Sequence, residues 1–121
     1  MKRIFVESPF AGFRKRNKAY ARWAMLDCVN RGESPYVPHL LLTQVLDDKD
    51  AVERLKGTNA AEVWRDVADL TVFYCDLGFS RGMALAYDYV VKHGIPFELR
   101  TLWKPITEVE VPNVPVDEDE D

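Results

Sequence analysis

The chain has 121 residues, 47% hydrophobic and 12% aromatic, enough for one buried core and close to the usual size of a single domain. Its net charge is -4, but five acids are stacked from Asp117 to Asp121, and without them the chain is close to neutral. There is no basic stripe for duplex nucleic acid, no signal-peptide h-region and no apolar run near the roughly 20 residues of a membrane span, so a cytoplasmic protein bound to neither DNA nor membrane is expected.

Arg3 to Glu7 is a β-rich run that stops at Ser8-Pro9, where proline withholds a donor and restricts the residue before it. Phe10 to Arg16 holds Gly12 and three cations. Asn17 then caps a helix that runs to about Arg31 and ends at Gly32. Tyr20, Trp23, Ala24, Met25, Leu26 and Val29 give that helix an apolar surface for a sheet to cover. Tyr36-Val37, between Pro35 and Pro38, reads as a short second strand, and His39 to Gln44 as either its end or a helical turn. Leu46 to Asp50 is a turn or a helix start. From Ala51 to Ala68 the apolar positions Ala60, Val63, Trp64 and Val67 keep helical spacing, with Gly57 expected to split the stretch into two helices.

Leu70 to Cys75 is the clearest strand, apolar throughout except for Thr71, as suits a strand covered on both faces. Asp76 follows. Leu77 to Met83 turns the chain into a helix that reaches about His93, which caps its end, and Gly94 terminates it before a fourth strand, Pro96 to Thr101. Strand and helix alternate throughout. That order predicts an α/β fold, a three-layer doubly wound parallel sheet of about four to five strands, in a domain of residues 1–103. Residues 104–121, rich in proline and acid, are expected to be an extended or disordered tail. Cys28 and Cys75 fall inside apolar runs without metal-ligand spacing, so both read as buried hydrophobes, and no metal or cofactor is expected.

Ligands of open parallel sheets bind beyond the carboxyl ends of the strands. Ser8, Pro9, Phe10, Gly12, His39, Gln44, Asp76, Gly78, Ser80 and Gly82 fall there. The strongest local signal is Asp76-Leu77-Gly78-Phe79-Ser80-Arg81-Gly82-Met83, whose glycines permit close backbone approach while Ser80 caps the helix and its first amides face an anion. The spacing is neither Walker A nor GxGxxG, which excludes those two phosphate loops. Asp76 reads as a ribose-hydroxyl acceptor or an acid/base, against the plainer role of capping its own turn. Arg14, Arg16 and Arg81 are candidate phosphate partners.

Ser8-Pro9-Phe10-Ala11-Gly12, Asn17 and Asp76 through Met83 together resemble the nucleoside 2-deoxyribosyltransferase-like superfamily. A narrower resemblance, to a group of phage and bacterial proteins within it, covers residues 3–102 through Glu7-Ser8-Pro9, Tyr20-Ala21-Arg22, His39-Leu40-Leu41, Thr43-Gln44, Val45-Leu46-Asp47-Asp48, Glu53-Arg54, Ser80-Arg81-Gly82-Met83 and Glu98-Leu99-Arg100. The resemblance implies a flavodoxin-like sheet in the order 2-1-3-4, a pocket for a nucleoside or nucleotide contacted by the residues named above with Arg14, Asn17, Arg81 and Met83, and a homo-oligomer. Superfamily enzymes cleave or exchange the bond between base and deoxyribose with a glutamate four residues after a glycine. Four residues after Gly82 this chain has Ala86, so catalysis would need a relocated carboxylate, with Asp76, Asp48 and Glu7 the candidates. The alternative is a non-catalytic binding module.

Overall fold

The computed structural model describes residues 1–113; residues 114–121 of the expected tail, with the whole acidic run Asp117 to Asp121, lie outside the described residues. Four strands, β1 (Arg3–Glu7), β2 (Ser34–Tyr36), β3 (Leu70–Tyr74) and β4 (Phe97–Arg100), form one all-parallel sheet in the order β2-β1-β3-β4. Register places Phe5 opposite Tyr36 and Thr71, and Tyr74 opposite Arg100. The α/β doubly wound architecture and its strand order are those expected.

Alternation along the strands sends Ile4, Val6, Val72 and Tyr74 to one face and Phe5, Glu7 and Phe73 to the other. Helix α1 (Arg14–Asn30) covers the first face with Tyr20, Ala21, Ala24 and Cys28. Helices α3 (Ala51–Val67) and α4 (Arg81–Lys92) cover the second, α4 through Met83, Ala86 and Val90 against Phe73, and α3 through Ala61 and Arg65. A short α2 (Pro38–Leu41) and a 3₁₀ turn, Leu42–Gln44, decide the segment left open between strand and helix in favour of helix. The crossovers after β1 and β3 therefore leave on opposite faces. That divergence opens a crevice at the carboxyl ends of these two strands.

Four local expectations are corrected. Helix α1 begins at Arg14, not Asn17, and has no side-chain cap; the Asn17 amide, 1% exposed, instead donates to the carbonyls of Phe10 (2.8 Å) and Ala11 (3.3 Å). Gly57 does not break α3, which runs continuously from Ala51 to Val67; a single glycine costs a helix only about 1 kcal/mol relative to alanine, too little to split it. The apolar faces were also placed too broadly. Tyr20 and Ala24 are buried, whereas Trp23, Met25, Leu26 and Val29 on α1, and Val63, Trp64 and Val67 on α3, are exposed. Periodicity locates an apolar stripe but not the narrower line that meets the sheet. Strand β2 also ends one residue earlier than expected.

Candidate functional site

The carboxyl end of β1 packs into a small polar cluster. Glu7 is buried and forms an ion pair with Arg65 of α3, whose guanidinium also lies over the Phe5 ring at 4.8 Å. Burial pushes the Glu7 carboxyl above its ordinary value, with Arg65 pulling the other way. Ser8 is fully buried, and its hydroxyl has no hydrogen-bond partner among the described residues. Phe10 stacks on His39 with centroids 5.0 Å apart and planes at 17°. Burial lowers the His39 imidazole, opposed by Asp48, which itself pairs with Arg14 at 3.5 Å. Glu7, Ser8, Pro9, Phe10, Asn17, His39, Arg14 and Asp48 are thus packed or paired at one end of the crevice. Gln44 stays exposed and donates to the Leu40 carbonyl, and Gly12 turns the loop at φ +92°.

At the end of β3 the two oxygens of Asp76 accept from four donors: the Tyr20 hydroxyl (2.6 Å) and the amides of Leu102 (2.8 and 3.0 Å), Trp103 (2.9 Å) and Lys104 (2.8 Å). Burial alone would raise this carboxyl; the Tyr20 hydroxyl and the three amides outweigh it and hold it below the ordinary range. Asp76 is therefore the clasp of the 102–104 turn. Both of its oxygens are thereby bonded within the chain. Tyr20 tightens the same corner, with its ring edge-on to Trp103 at 5.5 Å.

Ser80 caps α4 as expected, its hydroxyl accepting from the Met83 amide at 3.2 Å, while Arg81 and Gly82 stand exposed in the first turn. Met83 points into the core, 1% exposed. Gly78 adopts φ +83°, a left-handed conformation that a side chain resists. Beside it opens a cavity of about 490 Å³, bounded by Cys75, Gly78, Phe79 and Ala84 below and by Lys104 and residues 108–112 above. The described part of the tail is thus laid across the sheet edge, with a 3₁₀ turn at Ile106–Glu108. Ala86 is 7% exposed among Phe73, Met83 and Val90, within the core. Among the described residues no group of three or more His, Cys, Asp or Glu is placed to hold a metal.

Several participants had no sequence signal. Arg65 sits in an otherwise ordinary amphipathic stretch, and nothing marks it as the partner of a residue 58 positions away. Lys104 and residues 108–112 reach the cavity after the turn at 102–104 that Asp76 holds. Arg100 is likewise buried, paired with Glu33 (2.7 Å) and in contact with the Tyr74 hydroxyl (3.2 Å), which in turn donates to Asp27 (2.7 Å). This network locks α1 to β3 and β4 on the face away from the cavity.

Residues 2–100 match the family described as Domain of unknown function (DUF7768). No curated protein matches the chain. Among solved structures, the chain resembles a 2-deoxyribosyltransferase from the psychrotolerant bacterium Bacillus psychrosaccharolyticus, described as a biocatalyst for nucleoside synthesis. The TM-score is 0.65 at 17% sequence identity, covering 86% of this chain and 76% of that one. At that identity the likeness establishes the fold.

Proposed function

The chain belongs to the DUF7768 family, and we propose that it binds a nucleoside or nucleotide-like small molecule at the carboxyl edge of its sheet without cleaving it. The observation that carries this reading is the cavity of about 490 Å³ beside Gly78 and Phe79, within the range of small-molecule sites. Phe79 offers a ring for a base, and Lys104 with the carboxylates of Glu108 and Glu110 offers a donor and acceptors for the hydroxyls of a sugar. The fold shared with a 2-deoxyribosyltransferase supports the ligand class. Against catalysis by the expected candidates, Asp76 holds four donors, Glu7 holds Arg65, Asp48 holds Arg14, and Ala86 stands where the glutamate would be; of the carboxylates that line the cavity, Glu108 and Glu110 are both exposed.

One observation favours cleavage or transfer of an N-glycosidic bond. Glu7 is buried at the crevice, and burial pushes its carboxyl up, as suits a general acid. A single experiment separates the readings. The protein is incubated with a panel of nucleosides, deoxynucleosides and their monophosphates, with thermal shift read beside chromatography of released base. A melting point raised by several degrees with no released base supports the binder. Base release that Glu7→Gln abolishes supports the enzyme, and no shift with any compound overturns both.

A further inference from the structure

On the α1 side of the sheet the chain leaves a second hollow, of about 330 Å³, between α1 and the turn that follows β4. Trp23, Leu26, Asp27 and Asn30 stand at positions i, i+3, i+4 and i+7, so they share one stripe of α1, and Leu102 and Trp103 supply the rest of the lining. The indoles of Trp23 and Trp103 are 62% and 64% exposed. Two large aromatic side chains left in water around one hollow differ from the scattered apolar residues of an ordinary surface. Trp103 is also held in place, its amide on Asp76 and its ring against the Tyr20 edge. Among the described residues Asp27 is the one charged member of the lining. Its Oδ2 accepts from the Tyr74 hydroxyl (2.7 Å) and from Arg31 Nε (2.9 Å), while no hydrogen bond within the described residues reaches Oδ1. Tyr74 links onward to Arg100, and Arg100 to Glu33 and Glu98, so the connected network sets three carboxylates against two guanidiniums. The hollow therefore opens onto an excess of negative charge with a carboxylate oxygen to spare.

We propose that this hollow receives an arginine side chain carried by a partner polypeptide. A cation is drawn to the face of an aromatic ring by the ring quadrupole, most strongly for tryptophan, and a carboxylate beside the rings adds to the attraction. Guanidinium suits the lining better than ammonium. It is planar and weakly hydrated, so it lies flat on an indole while the N–H groups along its edge donate to Asp27 Oδ1 and to the Asn30 carboxamide oxygen. The exposure of the walls favours a polypeptide over a free metabolite. Sites for small molecules enclose most of the ligand, whereas here both indoles stand more than half in solvent, and the residues on either side of the inserted arginine cover the area that the side chain leaves open. Tryptophan is enriched among the residues that dominate such contacts. A phosphate-bearing or acidic partner meets Asp27 and is repelled. The hollow lies beside α1, while the cavity at Gly78 is lined from α4, so the inference stands whether or not that cavity binds a nucleoside.

The experiment follows the indole N–H signals of the full chain by NMR while a capped Gly-Ser-Arg-Ser-Gly peptide is added. Its twin carries citrulline, which keeps the shape of arginine without the charge. Trp64, on α3 and stacked on Tyr36, serves as the internal reference. Saturable shifts at Trp23 and Trp103 with Trp64 unmoved, and an affinity about tenfold or more above that of the citrulline peptide, support the proposal. Added salt is expected to weaken the arginine peptide and leave its twin unchanged. Asp27→Asn is expected to bring the arginine peptide down to the citrulline level. Because Asp27 also bonds Tyr74 and Arg31, Trp23→Ala supplies a second variant at an exposed position, expected to weaken binding about tenfold with the melt retained. Equal affinities for the two peptides, no saturable shift at millimolar concentration, or full binding by Trp23→Ala overturns the assignment.

Discussion

Replacing Asp76 by Asn would test the central joint of the structure. The side chain is 7% exposed, and its carboxylate accepts from the Tyr20 hydroxyl and three consecutive amides of the 102–104 turn. Asparagine keeps one acceptor oxygen but turns an NH₂ group toward donors that have nowhere else to bond. Hydrogen bonds to a charged acceptor contribute about 1.5–3 kcal/mol each, and part of the turn can escape to water, so a loss of about 2–4 kcal/mol is expected. The assay is urea unfolding at pH 7, read alongside hydrogen exchange at Leu102, Trp103 and Lys104, whose amides are expected to lose protection. Acid supplies an independent check. Because the folded-state carboxyl is held below its ordinary value, its stabilisation is fully present above the unfolded value near pH 3.9 and disappears as pH falls through the folded value. The gap between the two proteins is therefore expected to be widest at neutral pH and to shrink below about pH 4. A variant within about 0.5 kcal/mol of the parent at pH 7, or a gap indifferent to acid, would refute the clasp.

Three further outcomes follow from the same packing. Arg65→Leu strands Glu7 as a buried, unpaired carboxylate and is expected to cost about 3–5 kcal/mol by denaturant unfolding, while Arg65→Leu with Glu7→Leu recovers much of the loss. Gly78→Ala meets no atom within 4 Å, so its expected cost, about 1–2 kcal/mol in the same assay, comes from the left-handed backbone alone. Both thiols are buried, and burial pushes Cys75 up to about 11, so an aromatic disulfide reagent at pH 8 is expected to leave the native protein unlabelled and to titrate two thiols in urea.

What could be read from the residues alone was whatever local physics decides. Five consecutive apolar or β-branched residues from Leu70, a proline after Ser8, a serine positioned to cap, and glycines after α1 and α4 mark out strands and helices, and their alternation implies a parallel sheet. The cap at Ser80 and the burial of both cysteines belong to the same class. What tertiary structure decided was the partner of each polar group. Asp76 looked like a ligand residue because a carboxylate after a buried strand is unsatisfied locally; its donors lie 26 to 28 residues ahead and, at Tyr20, 56 residues behind. Glu7 and Arg65 are equally remote in sequence. Hydrophobic spacing is a periodic signal that survives in one dimension, but hydrogen-bond and ion-pair satisfaction depends on distances between segments, which exist only once the sheet has brought those segments together.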